Sequence, residues 1–383
     1  MVKSVGPLAG VRVLEMASVG PSPMCGMMLG DLGADVVRVD RMAVADLGLD
    51  HGDRETDLLN RSKRSVAVDL KSPEGVAAVL KLARNADILI EGMRPGVMER
   101  LGLGPDDCWE QNPALVYGRV TGWGQDGPLA PAAGHDLNYI ALTGALATMG
   151  RDGDAPVPPL NMLGDFGGGA MYLAMGVLAA LLEARQSGKG QVVDTAMIDG
   201  ASNLMMMIYG LFAQGNWLNQ RGKNILDTGA HFYNVYETAD GKFITVGSIE
   251  RKFYHLLYEK LGLTDVPAQM DRQSWPENRE ALAALFKTQT RDQWVALLEG
   301  TDVCFAPVLD LAEAPLYPHN AARKTFLDVN GAVQPNVAPR FSRTSTGMPT
   351  MPAAPGDHTA EAMAEWGIDA SEIDAMKQSG AIR

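Results

Sequence analysis

Two short stretches bring together residue types that can move protons. Gly134-His135-Asp136-Leu137-Asn138-Tyr139 follows a Gly/Pro-rich loop, residues 122–134, and opens an apolar run from Leu137 to Met149 with helical spacing. A histidine on the residue before a helix, beside an aspartate suited to the first turn, lies where backbone N–H groups are unpaired. Such a place can hold a base next to a developing negative charge. A surface histidine in a capping turn has the same local pattern. The second stretch, Gly164-Asp165-Phe166-Gly167-Gly168-Gly169, places a carboxylate ahead of three glycines that enter an apolar helix expected over 170–183. An Asp in that place is usually a helix N-cap, which alone would explain Asp165, and the glycines read as positions of close packing or close backbone approach.

Charge and composition restrict what such groups could act on. The chain has 383 residues, enough for two domains, with 33 Lys+Arg against 46 Asp+Glu and a net charge of −13. That balance argues against general binding to nucleic acid or an anionic membrane, so any phosphate site must be a local basic patch. Cys25, Cys108 and Cys304 are far apart and show no CxxC spacing. No zinc site or disulfide framework is expected, and a reducing compartment, the cytoplasm, fits. Arg12 and Glu15 interrupt the first apolar run, so it does not read as a signal peptide. The longest apolar stretches carry glycine and polar breaks and read as buried helices, not membrane spans.

The elements that must position these residues follow from hydrophobic period and turn chemistry. Residues 11–15 read as a buried strand, a Gly/Pro turn spans 18–23, a helix runs over 24–32, and 35–40 is the next strand. This βαβ unit implies a parallel sheet with helices packed on it. It looks like the start of a dinucleotide-binding fold, but glycines at 20, 26 and 30 do not make GxGxxG, and NAD is rejected as the cofactor. Arg38 and Arg41, then Arg61, Lys63, Arg64 and Lys71, form two basic groups near strand ends. They suit a phosphorylated ligand in the crevice there, or are solvated charge. Residues 42–60 are polar and read as loop. A helix over 73–85, a strand over 86–91, the turn Gly92-Met93-Arg94-Pro95-Gly96 and a strand over 115–120 continue the α/β pattern. Residues 191–196 are a further strand and 198–212 a Met-rich helix, read as core in preference to a cofactor box. After residue 215 the texture changes: 231–237 and 243–247 form a β-hairpin about Gly241, and helices follow near 251–262, 277–288 and 291–299. The expected organisation is a large Rossmann-like domain over 1–215, a small α+β domain with linkers over 216–325, and a segment over 326–383 that returns to the large domain. That last segment shows little regular pattern before a short helix near 360–366 and is expected to wrap over another surface.

Several motifs, read in order, resemble one family. They are Gly-Asp-Leu-Gly-Ala-Asp-Val-Val-Arg-Val-Asp (30–40), Val-Asp-Leu-Lys (68–71), Arg-Pro-Gly-Val (94–97), Arg-Leu-Gly-Leu-Gly (100–104), Thr-Gly-Trp-Gly-Gln (121–125), Gly-His-Asp (134–136), Gly-Asp-Phe-Gly-Gly-Gly (164–169) and Gly-Lys-Gly-Gln-Val-Val-Asp (188–194). From about residue 7 to about residue 345 the chain resembles the family III CoA-transferases, and within them the bacterial-type α-methylacyl-CoA racemase branch. The resemblance implies that His135 and Asp165 are the two catalytic bases, that Glu250 orients the histidine, and that Asn161 is the amide beside the aspartate. It further implies CoA binding by Arg41, by Val68, Asp69, Leu70 and Lys71, by Gly92, Met93, Arg94, Pro95 and Gly96, by Arg100, and by Gly134, Asp136, Leu137, Asn138 and Tyr139. The implied architecture is an interlocked homodimer in which Glu250 of the small domain reaches His135 across the subunit boundary. The implied ligand is an acyl-CoA thioester, with no metal and no separate cofactor.

The residue types suit that chemistry. Epimerising the carbon beside a thioester needs a proton removed from one face and another delivered to the opposite face, and His and a carboxylate have intermediate basicity for both tasks. The enolate oxygen needs N–H donors, which a helix beginning at Asp136 offers. Asp165 would need a partly buried, less polar site for its acidity to be useful near neutrality. In the transferase branch the position of Asp165 carries a nucleophile and that of His135 is typically aromatic, so the histidine favours proton transfer. A non-catalytic CoA-thioester-binding subunit would require His135 and Asp165 to be structural. Methionine- and leucine-rich stretches, Met205-Met206-Met207 among them, are expected to accept bulky acyl groups.

Overall fold

Short runs rich in valine and isoleucine form the six strands of a parallel sheet in the computed structural model, which describes residues 5–42 and 56–383. The strands are β1 (Arg12–Met16), β2 (Asp35–Asp40), β3 (Arg64–Ala67), β4 (Ile88–Glu91), β5 (Val116–Thr121) and β6 (Val192–Ala196). Their spatial order is β3-β2-β1-β4-β5-β6, with Leu14 opposite Val37 on one side and Leu89 on the other. Such a doubly wound order reverses direction between β1 and β4, and ligands of open α/β sheets bind beyond the carboxyl ends of the strands at that point. Strands β1 to β5 are largely buried on both faces, as a parallel sheet between helical layers requires, while the edge strand β6 exposes Val192 and Asp194.

Helices α1 (Pro21–Asp31), α2 (Pro73–Arg84), α3 (Val97–Arg100), α4 (Pro105–Gln111) and α5 (Asp136–Leu142) follow in chain order. Helix α1 begins three residues earlier than its apolar spacing indicates, because prolines at 21 and 23 are well tolerated in a first turn. The glycines that failed the dinucleotide pattern have a packing role instead. A Cβ on Gly26 would lie 1.9 Å from Glu15 Oε2, so this position keeps α1 close over β1. The apolar run after His135 is not one helix: Gly144, at φ 77°, separates α5 from Ala145–Thr148. The long helix starts as a π-helical turn over Met162–Met171 and becomes α-helical over Tyr172–Ser187. By length and composition the run Met162–Ser187 could cross a bilayer. One face of it, including Leu173 and Val177, is buried in the cluster that holds Ile90 and Val116 of the sheet.

The chain divides into two units. The first comprises residues 1–143, 160–204 and 326–383, and the second 144–159 and 205–325. Residues 144–159 and 205–215, expected in the large domain, thus belong with the second unit. That unit contains the expected hairpin, β7 (Tyr233–Glu237) and β8 (Phe243–Gly247), extended by a third strand, β9 (Phe305–Pro307). Its alternating burial packs Tyr236, Ile244 and Val246 on Leu257, Phe286 and Trp294. The C-terminal segment is more regular than its composition indicates. It forms a hairpin, Phe326–Val329 with Ala332–Pro335, and a second helix over Ala370–Gln378 whose Ile373 and Met376 are buried. Of the 42–60 stretch, residues 43–55 lie outside the described residues, and Leu58–Asn60 is a 3-10 turn.

The basic groups near the strand ends are mostly spoken for, which corrects the phosphate reading. Arg38 pairs with Asp40 at 2.8 Å, Arg61 with Asp31 at 2.6 Å, and Arg64 with both Asp35 and Glu365. Lys63 Nζ lies 2.7 Å from Glu15 Oε2 and also donates to the carbonyl of Pro23 and to Asn60 Oδ1. Both members of this last pair are fully enclosed, so each charge depends on the other for compensation. Arg41 and Lys71 remain exposed. Lys63→Met is expected to lower stability by about 3–5 kcal/mol in urea unfolding. Lys63→Met combined with Glu15→Met should recover most of it, and a double variant no more stable than the single one would contradict the pairing.

Candidate active site

The segments beyond the carboxyl ends of four of the sheet's strands carry the residues expected to bind a ligand. Arg41 follows β2, Val68–Lys71 follow β3, Gly92–Gly96 follow β4, and the loop after β5 leads to Gly134–Tyr139. The turn after β4 sits at the reversal point of the sheet, beside the turn after β1. A Cβ on Gly92 would lie 3.0 Å from Ser18 Oγ. The hydroxyls of Ser18 and Ser22 are buried in this crevice without a hydrogen-bond partner among the described residues. These two serines were not singled out by type or spacing. Arg94, Arg100, Leu137 and Asn138 are exposed, and Met93, Pro95, Gly96 and Gly134 half-buried.

The β3 end is less open. Val68 is fully buried, donates its N–H to the Asp40 carbonyl and bridges Ile382, while Asp69 donates its N–H to the Ala381 carbonyl at 2.8 Å. The chain's last residues therefore occupy the backbone of Val68 and Asp69. Leu70 packs on the core, and Lys71 alone in this group presents a free side chain to solvent.

His135 is the N-cap of α5, with extended backbone (φ −135°, ψ 171°) and an exposed side chain. Its carbonyl accepts the first bonds of the helix from Asn138 and Tyr139. Asn138 Oδ1 reaches back to the His135 N–H at 3.0 Å, which fixes the cap from both sides. Tyr139 braces the loop that delivers the histidine. Its hydroxyl donates to the Gly134 carbonyl, its ring meets Trp123 edge-on at 4.8 Å, and a Cβ on Gly122 would overlap the ring at 2.1 Å. Burial first, then the nearby Asp165 carboxylate, pushes the Tyr139 phenol up to about 12, with Arg94 acting in the opposite direction.

Asp165 is not an N-cap. It lies inside the π-helical turn, where the Phe166 N–H bonds the Asn161 carbonyl five residues back. Insertions of this kind recur at functional sites because they redirect one side chain without ending the helix. The glycines after it provide close backbone approach: a Cβ on Gly168 would lie 2.6 Å from the amide nitrogen of Ala201, in the helix Met197–Leu204. The Asp165 side chain is turned toward the start of α1. Its Oδ2 lies 3.2 Å from where a Cβ on Gly20 would stand, and Gly20 at φ 72° accepts this approach. Asn161 Nδ2 donates to Asp165 Oδ2 at 3.1 Å, and the Asp165 N–H donates to Asp136 Oδ2 at 2.7 Å.

His135, Asp136, Asn161 and Asp165 are thus brought together within the first unit. Burial raises the Asp165 carboxyl above its ordinary range. The Asn161 amide opposes that shift, the Asp136 charge adds to it, and His135 opposes it. Asp136 itself is buried and faces this cluster, so its side chain is not presented to solvent as a ligand contact would be. Glu250 belongs to the second unit, where it is the exposed N-cap of the helix Arg251–Lys260. Among the described residues no group of three or more His, Cys, Asp or Glu side chains is placed to hold a metal ion.

Residues 8–359 match the profile of the CoA-transferase family III. The chain belongs to that family. Two relatives named Alpha-methylacyl-CoA racemase align over nearly full length. The mouse protein is 43% identical over 374 residues, covering 96% of this chain and 95% of its own. The human protein is 41% identical over 372 residues with the same coverage. The crystal structure of a CAIB/BAIF family protein from Brucella suis superposes with a TM-score of 0.80 at 26% identity, covering 94% of this chain and 100% of that one. The family's fold therefore spans both units, with the doubly wound sheet in the first.

A raised folded-state value makes Asp165 costly when ionised. Its stabilising influence is fully present below the ordinary carboxyl value near 3.8 and is lost as pH rises through the raised folded value. Asp165→Asn is therefore expected to melt at higher temperature than wild type near pH 8, with the gain shrinking toward about pH 4. A pH-independent difference, or a loss at high pH, would contradict the assigned dehydration.

Proposed function

We propose that this chain is an α-methylacyl-CoA racemase that interconverts (2R)- and (2S)-2-methylacyl-CoA thioesters. The single observation that carries the reading is the pair His135 and Asp165, an imidazole at a helix N-cap and a partly dehydrated carboxylate tied to the same helix through Asp136. The names and full-length identities of the mouse and human relatives support it.

The chemistry is proton transfer at one carbon. One base takes the α-proton from one face of the thioester, the electrons move onto the carbonyl oxygen as an enolate, and the conjugate acid on the other face returns a proton. A carboxyl raised above its ordinary range is a stronger base than an ordinary surface aspartate, and it keeps its acid form to higher pH. The N–H groups of Asp136 and Leu137, in the first turn of α5, have no carbonyl within the helix to bond and can donate to the enolate oxygen. Asn161 holds Asp165 in place by donating to its Oδ2. Glu250, an exposed carboxylate, is assigned to orient a His135 imidazole across the subunit boundary of the proposed homodimer and to support its charged form. Arg41, Lys71, Arg94 and Arg100 are exposed near the strand ends and are assigned to the phosphates of CoA. CoA enters as part of the substrate, no separate cofactor is assigned, and the cytoplasm is the proposed location.

The reading extends to an intertwined homodimer. Met162, Met171, Met175 and Leu182 leave an apolar face of the first unit's long helix exposed, each by more than half of its surface. Met206 and Met207 of the second unit are likewise exposed, which corrects their assignment to core and leaves them available to a partner or an acyl chain. Sedimentation as a monomer at micromolar concentration would remove the dimer from the proposal.

The reaction is tested by proton NMR of (2R)-2-methylacyl-CoA in D2O. Wild type is expected to erase the α-proton signal and form both epimers. His135→Ala and Asp165→Ala should each lose epimerisation by at least about 100-fold while CoA thioesters still bind. No exchange by wild type, with CoA transfer once a free carboxylic acid is added, would instead make Asp165 a nucleophile.

A further inference from the structure

Asp136 is the one charged side chain of the cluster that the proposed reaction does not use. It is 5% exposed, yet no basic residue pairs with it among the described residues. One oxygen, Oδ2, accepts the Asp165 N–H at 2.7 Å, and the other, Oδ1, is buried without a hydrogen-bond partner among the described residues. The chain also makes room for it. A Cβ on Gly164 would stand 2.6 Å from Asp136 Oδ2 and 2.9 Å from its Cγ, so the residue preceding Asp165 must be glycine for this carboxylate to sit there. A buried carboxylate facing a second carboxylate, with no cation between them, is an expensive arrangement for stability alone.

We propose that the Asp136 side chain is a positioning residue for Asp165. It anchors the Asp165 backbone through one hydrogen bond and sets a second negative charge beside the proton-carrying carboxyl. The proposal rests on the racemase reading of the site. Its consequence is that Asp165 holds its proton to higher pH than burial alone would provide, because the Asp136 charge disfavours a second negative charge beside it.

The groups that face Asp165 are few. His135, Asp136 and Tyr139 come from α5 and its cap, and Asn161 from its own turn. The start of α1 contributes the backbone of Gly20. Arg94, after β4, acts on the neighbouring Tyr139 phenol. Asp136 is the nearby acid among those that raise the Asp165 carboxyl, after burial itself. Its backbone already belongs to the α5 first turn that follows His135. One residue therefore couples the position of both proposed bases to the charge of one of them.

The test compares Asp136→Asn, Asp136→Ala and Gly164→Ala with wild type, following epimerisation from about pH 5 to about pH 9. Asp136→Asn keeps an acceptor for the Asp165 N–H but removes the charge. The limb of the rate profile set by Asp165 should move to lower pH, with KM little changed. Asp136→Ala removes the anchor as well, and kcat should fall a further 10- to 100-fold, roughly the effect of displacing a reacting group by 1 Å. Gly164→Ala leaves the charge in the chain but displaces it, and should move the limb in the same direction as Asp136→Asn. A limb that coincides with wild type in the folded variants would overturn the proposal, as would full activity in Asp136→Ala.

Absence of epimerisation by wild type would fail the racemase reading itself, and the coupling is then read without turnover. The pH-dependent gain in melting temperature produced by Asp165→Asn should be smaller when Asp136 is already Asn. An unchanged gain would overturn the coupling independently of any activity.

Discussion

The hydrogen bond from the Asp165 N–H to the Asp136 carboxylate joins two elements that the chain separates by a loop and part of the second unit. It adds a polar tie to the packing of α5 on the π-helical turn, where Gly164 lies against Ile140. With it, an imidazole at a cap and a carboxylate in a turn share one frame. The parallel sheet sets where that frame lies. Its reversal between β1 and β4 opens the crevice, and the turn after β1 brings Gly20 against the Asp165 side chain. Close backbone passage at Gly26 and Gly168 keeps the flanking helices near enough to close it.

A site of the proposed kind, which exchanges protons with its substrate, is not optimised for stability. Asp165 is dehydrated and next to a like charge, both of which favour the protonated form. Lys63 and Glu15 show the opposite solution in the same unit, a buried pair in direct contact. The difference separates structural from functional burial: one carboxylate is neutralised by an ammonium, the other is left able to change its protonation state.

Much of the fold was legible because its signals are local. Alternating or continuous apolar runs marked the strands, and turn residues marked their ends, so the βαβ pattern and the 231–247 hairpin are where period and Gly241 place them. The histidine at the start of α5 was legible for the same reason. The ion pairs were not. Arg61 with Asp31, or Lys63 with Glu15, joins residues whose partnership exists only after strands become neighbours, so a local reading takes them for a basic patch. The π-helical turn was hidden as well, since Asp before glycines also fits a cap. Composition does not distinguish an apolar face that is covered from one that is not, so a Met-rich helix reads as core where Met206 and Met207 are in fact exposed. The assignment of Glu250 came from resemblance, and nothing in its own surroundings distinguishes it from other N-cap carboxylates.

The central claim is that two different groups serve the two faces of one carbon. It is tested most directly by the isotope at that carbon in the first few per cent of turnover, starting from a single protiated epimer in D2O. Two bases predict that the newly formed epimer carries solvent deuterium at the α-carbon from the outset, because the acid that delivers the proton is not the base that removed it. A product epimer that retains the substrate's own protium would mean that one group works on both faces, and would contradict the account.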